Sequence, residues 1–331
     1  MDCPICGEKN TKEFDRYSAE RITNCYVNKR FKERYNQLLE HLGTFYPNGV
    51  CTRRQCSSCS FLYASPFKAG DSIFYKLAYE DRDFYPQEKW EYDFALSFLE
   101  KQNRTDLKVL EIGAGNGAFV RKILTRFAKK EDIFATDFSL GAISKLKELG
   151  INAYNEDIRN LFPTSLKDIK FNLICLFQSL EHMDGVVDFV KSLSSHLASN
   201  GRMIITVPND KHIDFNESNH ALMDLPPNHV SRWNVQSFIA LCKQTELELE
   251  ISEISNESFL SKTKLYLLYC YLKKAEEFGS FPHQIEQYKK VFRFIFKRLY
   301  IAFLGLIHIK SVFKLLNPEL GETLFVVLKK S

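Results

Sequence analysis

Three groups of residues in this sequence have types and spacings that could do chemistry: two cysteine pairs, a glycine loop flanked by acids, and a Glu-His dipeptide with a later Pro-Pro-Asn-His stretch. Cys3-x2-Cys6 and Cys56-x2-Cys59 have metal-ligand spacing. Four thiolates about 2.3 Å from a Zn²⁺ ion close a tetrahedral site, which suits structure better than catalysis. Forty-nine residues separate the pairs, so a segment must loop out between them, expected as a polar helix over 28–41. Cys175, Cys242 and Cys270 lie in apolar surroundings and read as buried thiols.

The stretch VLEIGAGNGAF sets Gly113, Gly115 and Gly117 between an apolar run and a helical one. Backbone N–H groups there can approach a polar ligand. The same spacing, with Asp137 twenty residues after Gly117, also fits a dinucleotide fingerprint, so a nucleotide-dependent oxidoreductase stays open. Glu111 argues for the first kind of ligand, because a carboxylate at the strand end accepts from an ammonium and repels a pyrophosphate. Asp157 is placed to accept from an adenine amino group. For Asp137 and Asp157 the alternative is a solvated strand end, and for Phe138 it is core packing.

Such residues need a sheet whose strand ends share one edge. Short apolar runs at 108–112, 133–136, 153–155, 171–177, 202–207 and 246–254 alternate with amphipathic stretches at 117–127, 140–149, 186–197 and 235–244. That alternation is the pattern of an α/β domain with a largely parallel sheet. The closing GETLFVVLKK reads as a last strand that returns to the sheet after a helical insertion at about 260–316. The predicted organisation is a cysteine module over 1–65, an aromatic connector and helix over 66–105, and the α/β domain over 106–331.

Taken together, VLEIGAGNG, ATDFS, NEDI, FNLICLFQSLEHM and GRMIITVPN make the segment 107–255 resemble a class I S-adenosylmethionine-dependent methyltransferase. The resemblance implies a Rossmann-like, seven-stranded α/β sheet. It implies that Glu111, Gly113 and Gly115 hold the methionine part, with Gly117 in the same loop. Asp137 would take the ribose hydroxyls, Phe138 an adenine face, Asp157 and Ile158 the adenine edge, and Gln178 a contact after the fourth strand. Methyltransferases with an N-terminal four-cysteine zinc module and a connector like Tyr85-Pro86 and Lys89-Trp90-Glu91 resemble nearly the whole chain. They often serve sugar and surface-polysaccharide pathways, which implies a small-molecule or glycan acceptor.

Methyl transfer from a sulfonium is an in-line displacement, and an oxygen acceptor must also lose a proton. His229 and His182, with Glu181 behind them, are the candidate bases, since an imidazole suits proton removal near neutral pH. For His182 a pocket-shaping role at a helix start is the alternative. Asn209 leaves the fifth strand, and a long loop is expected from there to a helix near Asn234. That loop carries DLPPNHVSRW, where Pro226 and Pro227 would present Asn228, Arg232 and Trp233 to an acceptor; a helix N-terminal staple is the alternative.

Hydrophobic residues make up 45% and charged residues 26%, as in soluble globular proteins. A net charge of +4 falls short of a dedicated nucleic-acid binder, although an RNA methyltransferase clamping with Arg53 and Arg54, or a non-catalytic zinc-knuckle binding module, are competing readings. The start MDCPICGEKN has no signal-peptide pattern, so a cytoplasmic location is expected. Over 289–316 basic and apolar residues alternate. Both a helix resting on a membrane surface and a cap packed on the domain with basic residues toward water would read this way.

Overall fold

The computed structural model describes residues 2–79, 86–155, 166–219 and 225–331. The chain divides into two compact units, Met1–Pro208 with Leu225–Glu253 and Thr323–Ser331, and Asn209–Asp224 with Ile254–Glu322.

The first unit opens with β1 (Thr11–Ser18), α1 (Ala19–Tyr26), α2 (Lys32–Phe45), β2 (Val50–Cys56) and β3 (Leu62–Ser65). The helix between the cysteine pairs lies later than the expected 28–41. Its limits follow its apolar stripe, because Tyr35, Leu38, Leu42 and Phe45 recur on one face and are all buried. Next come α3 (Ser72–Tyr79) and α4 (Trp90–Lys101), then β4 (Val109–Ile112), α5 (Ala118–Ile123), β5 (Ile133–Thr136), α6 (Leu140–Glu148), β6 (Asn152–Tyr154), β7 (Phe171–Phe177), α7 (Val186–His196) and β8 (Leu197–Pro208). Helix α5 is shorter than expected, since the chain leaves the helix at Leu124 and Thr125 takes a left-handed φ of 67°.

After α8 (Asp210–Ser218) of the second unit, the first unit resumes with β9 (Ser231–Arg232), α9 (Val235–Thr245) and β10 (Leu247–Ile254). The second unit continues with α10 (Phe259–Glu276), α11 (Phe281–Glu286), α12 (Lys290–Ile307) and α13 (Ile309–Lys314), and β11 (Thr323–Lys330) closes the chain in the first unit. The stretch 209–233 is therefore not the single loop expected. Its start is helical because Asn209 caps α8 and the helix buries Ile213 and Phe215.

Seven strands form the large sheet in the order β10-β11-β8-β7-β4-β5-β6. Strands β4 to β8 run parallel, and β11 is antiparallel to β8. This is the seven-stranded α/β fold that the resemblance implied. Parallel strands buried on both faces read as continuous apolar runs, which is why VLEI, IFAT and FNLICLF stand out in the sequence. Helix α4 packs on the sheet through aromatic contacts: Tyr92 meets Phe177 edge-on at 5.0 Å and Phe94 meets Phe325 at 4.8 Å. A second sheet, β1-β2-β3-β9, joins the N-terminal module to the segment after Leu225. The second unit has its own core, built by Phe215, Tyr266, Tyr271, Ile285, Leu304 and Leu315 among others. Among the described residues no helix is long and apolar enough to cross a membrane.

Candidate active site

The glycine loop sits where β4 ends. Gly113 has φ 72°, and a Cβ there would lie 3.3 Å from that of Ser179; Gly117 has φ 78°, and a Cβ there would come within 2.7 Å of Leu146. Only glycine meets both demands. Asp137, just past β5, accepts from the Gly115 backbone N–H at 2.8 Å with one oxygen and from the Ser139 N–H at 2.8 Å with the other. A carboxylate has further lone pairs on each oxygen, so it can still accept from a diol. Burial raises the Asp137 carboxyl above its usual range, against those two hydrogen bonds. Phe138 is 67% exposed, which rules out the core-packing alternative.

Glu111 is 1% exposed, and its Oε2 is buried without a hydrogen bond. Burial pushes its carboxyl up to about 8, with Lys89 pulling the other way and Asp137 adding to the rise. The Ser179 Oγ is likewise buried without a hydrogen bond. Two orphaned polar atoms beside the glycine loop fit a ligand that brings its own donors, such as an amino acid ammonium. Gln178, at φ 51°, turns its amide to the Thr323 hydroxyl at 3.3 Å. The Asn155 side chain donates to the carbonyls of Asp137 and Phe138 at 2.9 and 2.8 Å, fixing the turn between them. Asp157 and Ile158 lie outside the described residues.

After β7 the chain makes one 3-10 turn, Leu180–His182, and brings Glu181 and His182 to the same sheet edge. The His182 Nδ1 lies 2.9 Å from the Asn228 carbonyl and 3.1 Å from the Tyr75 hydroxyl. A carbonyl can only accept, so Nδ1 carries the proton and Nε2 keeps its lone pair. The Nε2 stands 3.9 Å from the Oε1 of Glu181, which is 1% exposed. The His229 ring meets His182 edge-on at 4.6 Å. Burial, helped by the Arg232 charge, lowers the His229 imidazole to about 3. That basicity is poorly matched to proton removal near pH 7, so of the two histidines His182 has the better chemistry.

The described part of DLPPNHVSRW, from Leu225 to Trp233, is tied in place by backbone. The Pro227 carbonyl accepts from Gly70 and the Val230 carbonyl from Ala64, both at 2.9 Å, while the Val230 N–H donates to Glu181 at 3.0 Å. Ser231 and Arg232 form β9 and pair with Tyr63 and Leu62 of the cysteine module. Trp233 is fully buried, edge-on to Phe61 at 4.7 Å and 4.8 Å from Phe238, with its indole N–H on the Ser231 hydroxyl. Its burial corrects the expectation of acceptor contact: Trp233 is a packing residue; Arg232 is 7% exposed. Asn209 is a structural residue of the second unit, its amide held by the Glu319 and Gly321 carbonyls at 2.8 and 2.7 Å. Asn228 contributes its backbone carbonyl to His182. Tyr75 gave no signal in the sequence, since it lies 107 residues before the histidine it touches; Ser179 could have been found, standing between Gln178 and the Glu-His pair.

The four cysteines converge in the first unit. The Cys3–Cys59, Cys6–Cys56 and Cys6–Cys59 sulfurs are 3.7, 3.6 and 3.6 Å apart. A tetrahedron with ~2.3 Å bonds has edges of about 3.8 Å. These separations are far beyond a disulfide bond. Arg53 is 3% exposed and paired with Asp15, and Arg54 bonds Thr11 within the same sheet. Both arginines are engaged inside the module.

Residues 87–251 match a family model described as a methyltransferase domain. The fold is similar to that of an S-adenosylmethionine-dependent methyltransferase from Clostridium acetobutylicum, at 13% identity over 78% of this chain and 96% of that one, with a TM-score of 0.43. It is also similar to a coclaurine N-methyltransferase (14% identity, 76% and 75% coverage, TM-score 0.45) and to the plantazolicin methyltransferase (18%, 72% and 83%, 0.43). No curated protein matches the chain in sequence. The matched segment, a methyltransferase domain by the model's description, is the one that carries the glycine loop and the acids at the edge of the seven-stranded sheet.

Proposed function

We propose that this domain methylates a hydroxyl of a small acceptor, a sugar or another glycan-pathway intermediate, and that Cys3, Cys6, Cys56 and Cys59 hold a structural Zn²⁺ ion. S-adenosylmethionine, when bound, supplies an electrophilic methyl on a sulfonium. Glu111 and the glycine loop hold its amino acid part, Asp137 its ribose hydroxyls and Phe138 an adenine face; Asp157 and Ile158 remain the proposed partners of the adenine edge. His182 removes the acceptor proton at Nε2, and the Glu181 carboxylate stabilises the imidazolium that forms. Asn228 and Tyr75 fix the tautomer, and His229 shapes the wall.

The observation that carries this reading is the His182 ring itself, with Nδ1 spent on a backbone carbonyl, Nε2 bearing a lone pair, and a buried carboxylate alongside. An acceptor that needs no deprotonation would have no use for it. The sugar class is supported by the likeness of the whole chain to zinc-module methyltransferases of such pathways.

A paired experiment tests it. Calorimetry with S-adenosylhomocysteine should show unchanged affinity in His182→Ala and a loss of roughly tenfold or more in Asp137→Ala. Turnover on a panel of nucleotide sugars and quinone precursors should fall by about 10²–10⁴ in His182→Ala. Full activity in His182→Ala, or labelling of total RNA in preference to the panel, would overturn the assignment.

A further inference from the structure

Helices α12 and α13 carry an exposed face of apolar and basic side chains. Helix α12 is apolar and basic, yet only Leu304 is buried in its eighteen residues. The side facing its own unit carries Arg293 and Lys297, whose cations lie 3.9 and 3.5 Å from the Glu286 carboxylate of α11. Roughly opposite, at about 100° per residue, stand Val291, Ile295, Leu299, Phe303 and Leu306, from 46% to 71% exposed. Leu304, Tyr300 and Ile301 pack on the unit's own core, so this exposed apolar face is additional to the one that a simple cap would bury. Proteins rarely leave a contiguous apolar patch of more than a few hundred Å² uncovered.

Charge selects the occupant. Residues 287–316 hold seven Lys or Arg and no Asp or Glu. Apart from Arg293 and Lys297, these are Lys289, Lys290, Arg298, Lys310 and Lys314, all exposed. A second copy seated on the same face would bring this basic rim against itself. A bilayer with anionic headgroups offers apolar depth for the face and phosphates for the rim. The helix does not combine the length and apolarity needed to cross a membrane. We propose that α12 and α13 lie in the interface of an anionic membrane, with Leu299 and Leu306 at the headgroup–acyl boundary and the lysines on lipid phosphates. The proposal is independent of the methyl-transfer chemistry.

The test is co-sedimentation of the full chain with phosphatidylcholine vesicles and with vesicles that also contain phosphatidylglycerol. Binding should favour the mixed vesicles and weaken as salt rises. Lys310→Glu with Lys314→Glu should lower the partition coefficient by roughly tenfold or more. Leu299→Asp with Leu306→Asp should abolish binding while circular dichroism and thermal unfolding stay as in the wild type. The proposal is overturned if the wild type stays in the supernatant with mixed vesicles, or if the leucine variant binds as the wild type does. It is also overturned if the wild type is a dimer that the leucine variant converts to monomer, which would assign the face to self-association. Should the leucine variant fail to fold, the lysine pair decides: unchanged binding overturns the proposal.

Discussion

Glu111 and His229 are both driven toward neutrality by burial, with opposite consequences. For Glu111 the folded-state value of about 8 lies above the ordinary 4.5, so the native chain keeps a proton that the unfolded chain releases. Stability from this group is complete below pH 4.5 and is lost as pH rises through about 8. The protein without ligand should therefore lose a few kcal/mol from this source between those limits, and Glu111→Gln should flatten the profile in denaturant titrations at several pH values. An ammonium beside the carboxylate reverses the balance. Binding of S-adenosylhomocysteine at pH 7 should release a proton near Glu111, read as a buffer-dependent calorimetric enthalpy that Glu111→Gln removes; a buffer-independent enthalpy in the wild type would place the ammonium elsewhere. His229 stays neutral down to about pH 3, which suits a wall residue and leaves proton transfer to its neighbour.

Among the elements, β9 has an influence beyond its length. Two residues of pairing with β3 and the indole of Trp233 under Phe61 fasten the segment that supplies the Asn228 carbonyl to His182. Truncating a fully buried tryptophan removes a large apolar contact and leaves a cavity. Trp233→Ala should cost about 3–5 kcal/mol in chemical denaturation. The cysteine cluster acts on the same element from the other side, since Cys56 ends β2 and Cys59 lies in the turn that leads to β3. Stripping metal with a chelator, or Cys56→Ser, should therefore lower kcat by loosening the loop around His182 while leaving donor affinity intact. Equal losses in both would show that the module supports the whole sheet.

For the whole molecule, the donor edge is built by the first unit, and the second has its own core around Phe215, Tyr266 and Tyr271. Strands β10 and β11 are neighbours in the sheet although the second unit's helices intervene between them in sequence. Replacing 257–320 by a short Gly/Ser linker should leave S-adenosylhomocysteine affinity unchanged and eliminate vesicle binding. Loss of donor binding on that replacement would show that the helical unit is needed for the sheet itself.

The sequence alone was enough for the large sheet and its donor loop, because those signals are local. Buried parallel strands are continuous apolar runs, and Gly113 and Gly117 occupy positions where φ is positive and a Cβ would be crowded. The four-cysteine cluster was legible for a similar reason, since each pair has a short fixed spacing. Only the tertiary structure decided the rest. The pairing of Arg232 with Leu62 spans about half of the chain, and nothing near Trp233 announces that Phe61 will cover it. Proton affinity is set by surroundings, and it is burial beside Arg232 that takes His229 out of the range of a base near neutral pH. The basic and apolar string of α12 fitted a buried cap and a surface helix equally; the tertiary structure seats Leu304, Tyr300 and Ile301 on the second unit's core and leaves Val291, Ile295, Leu299 and Leu306 exposed.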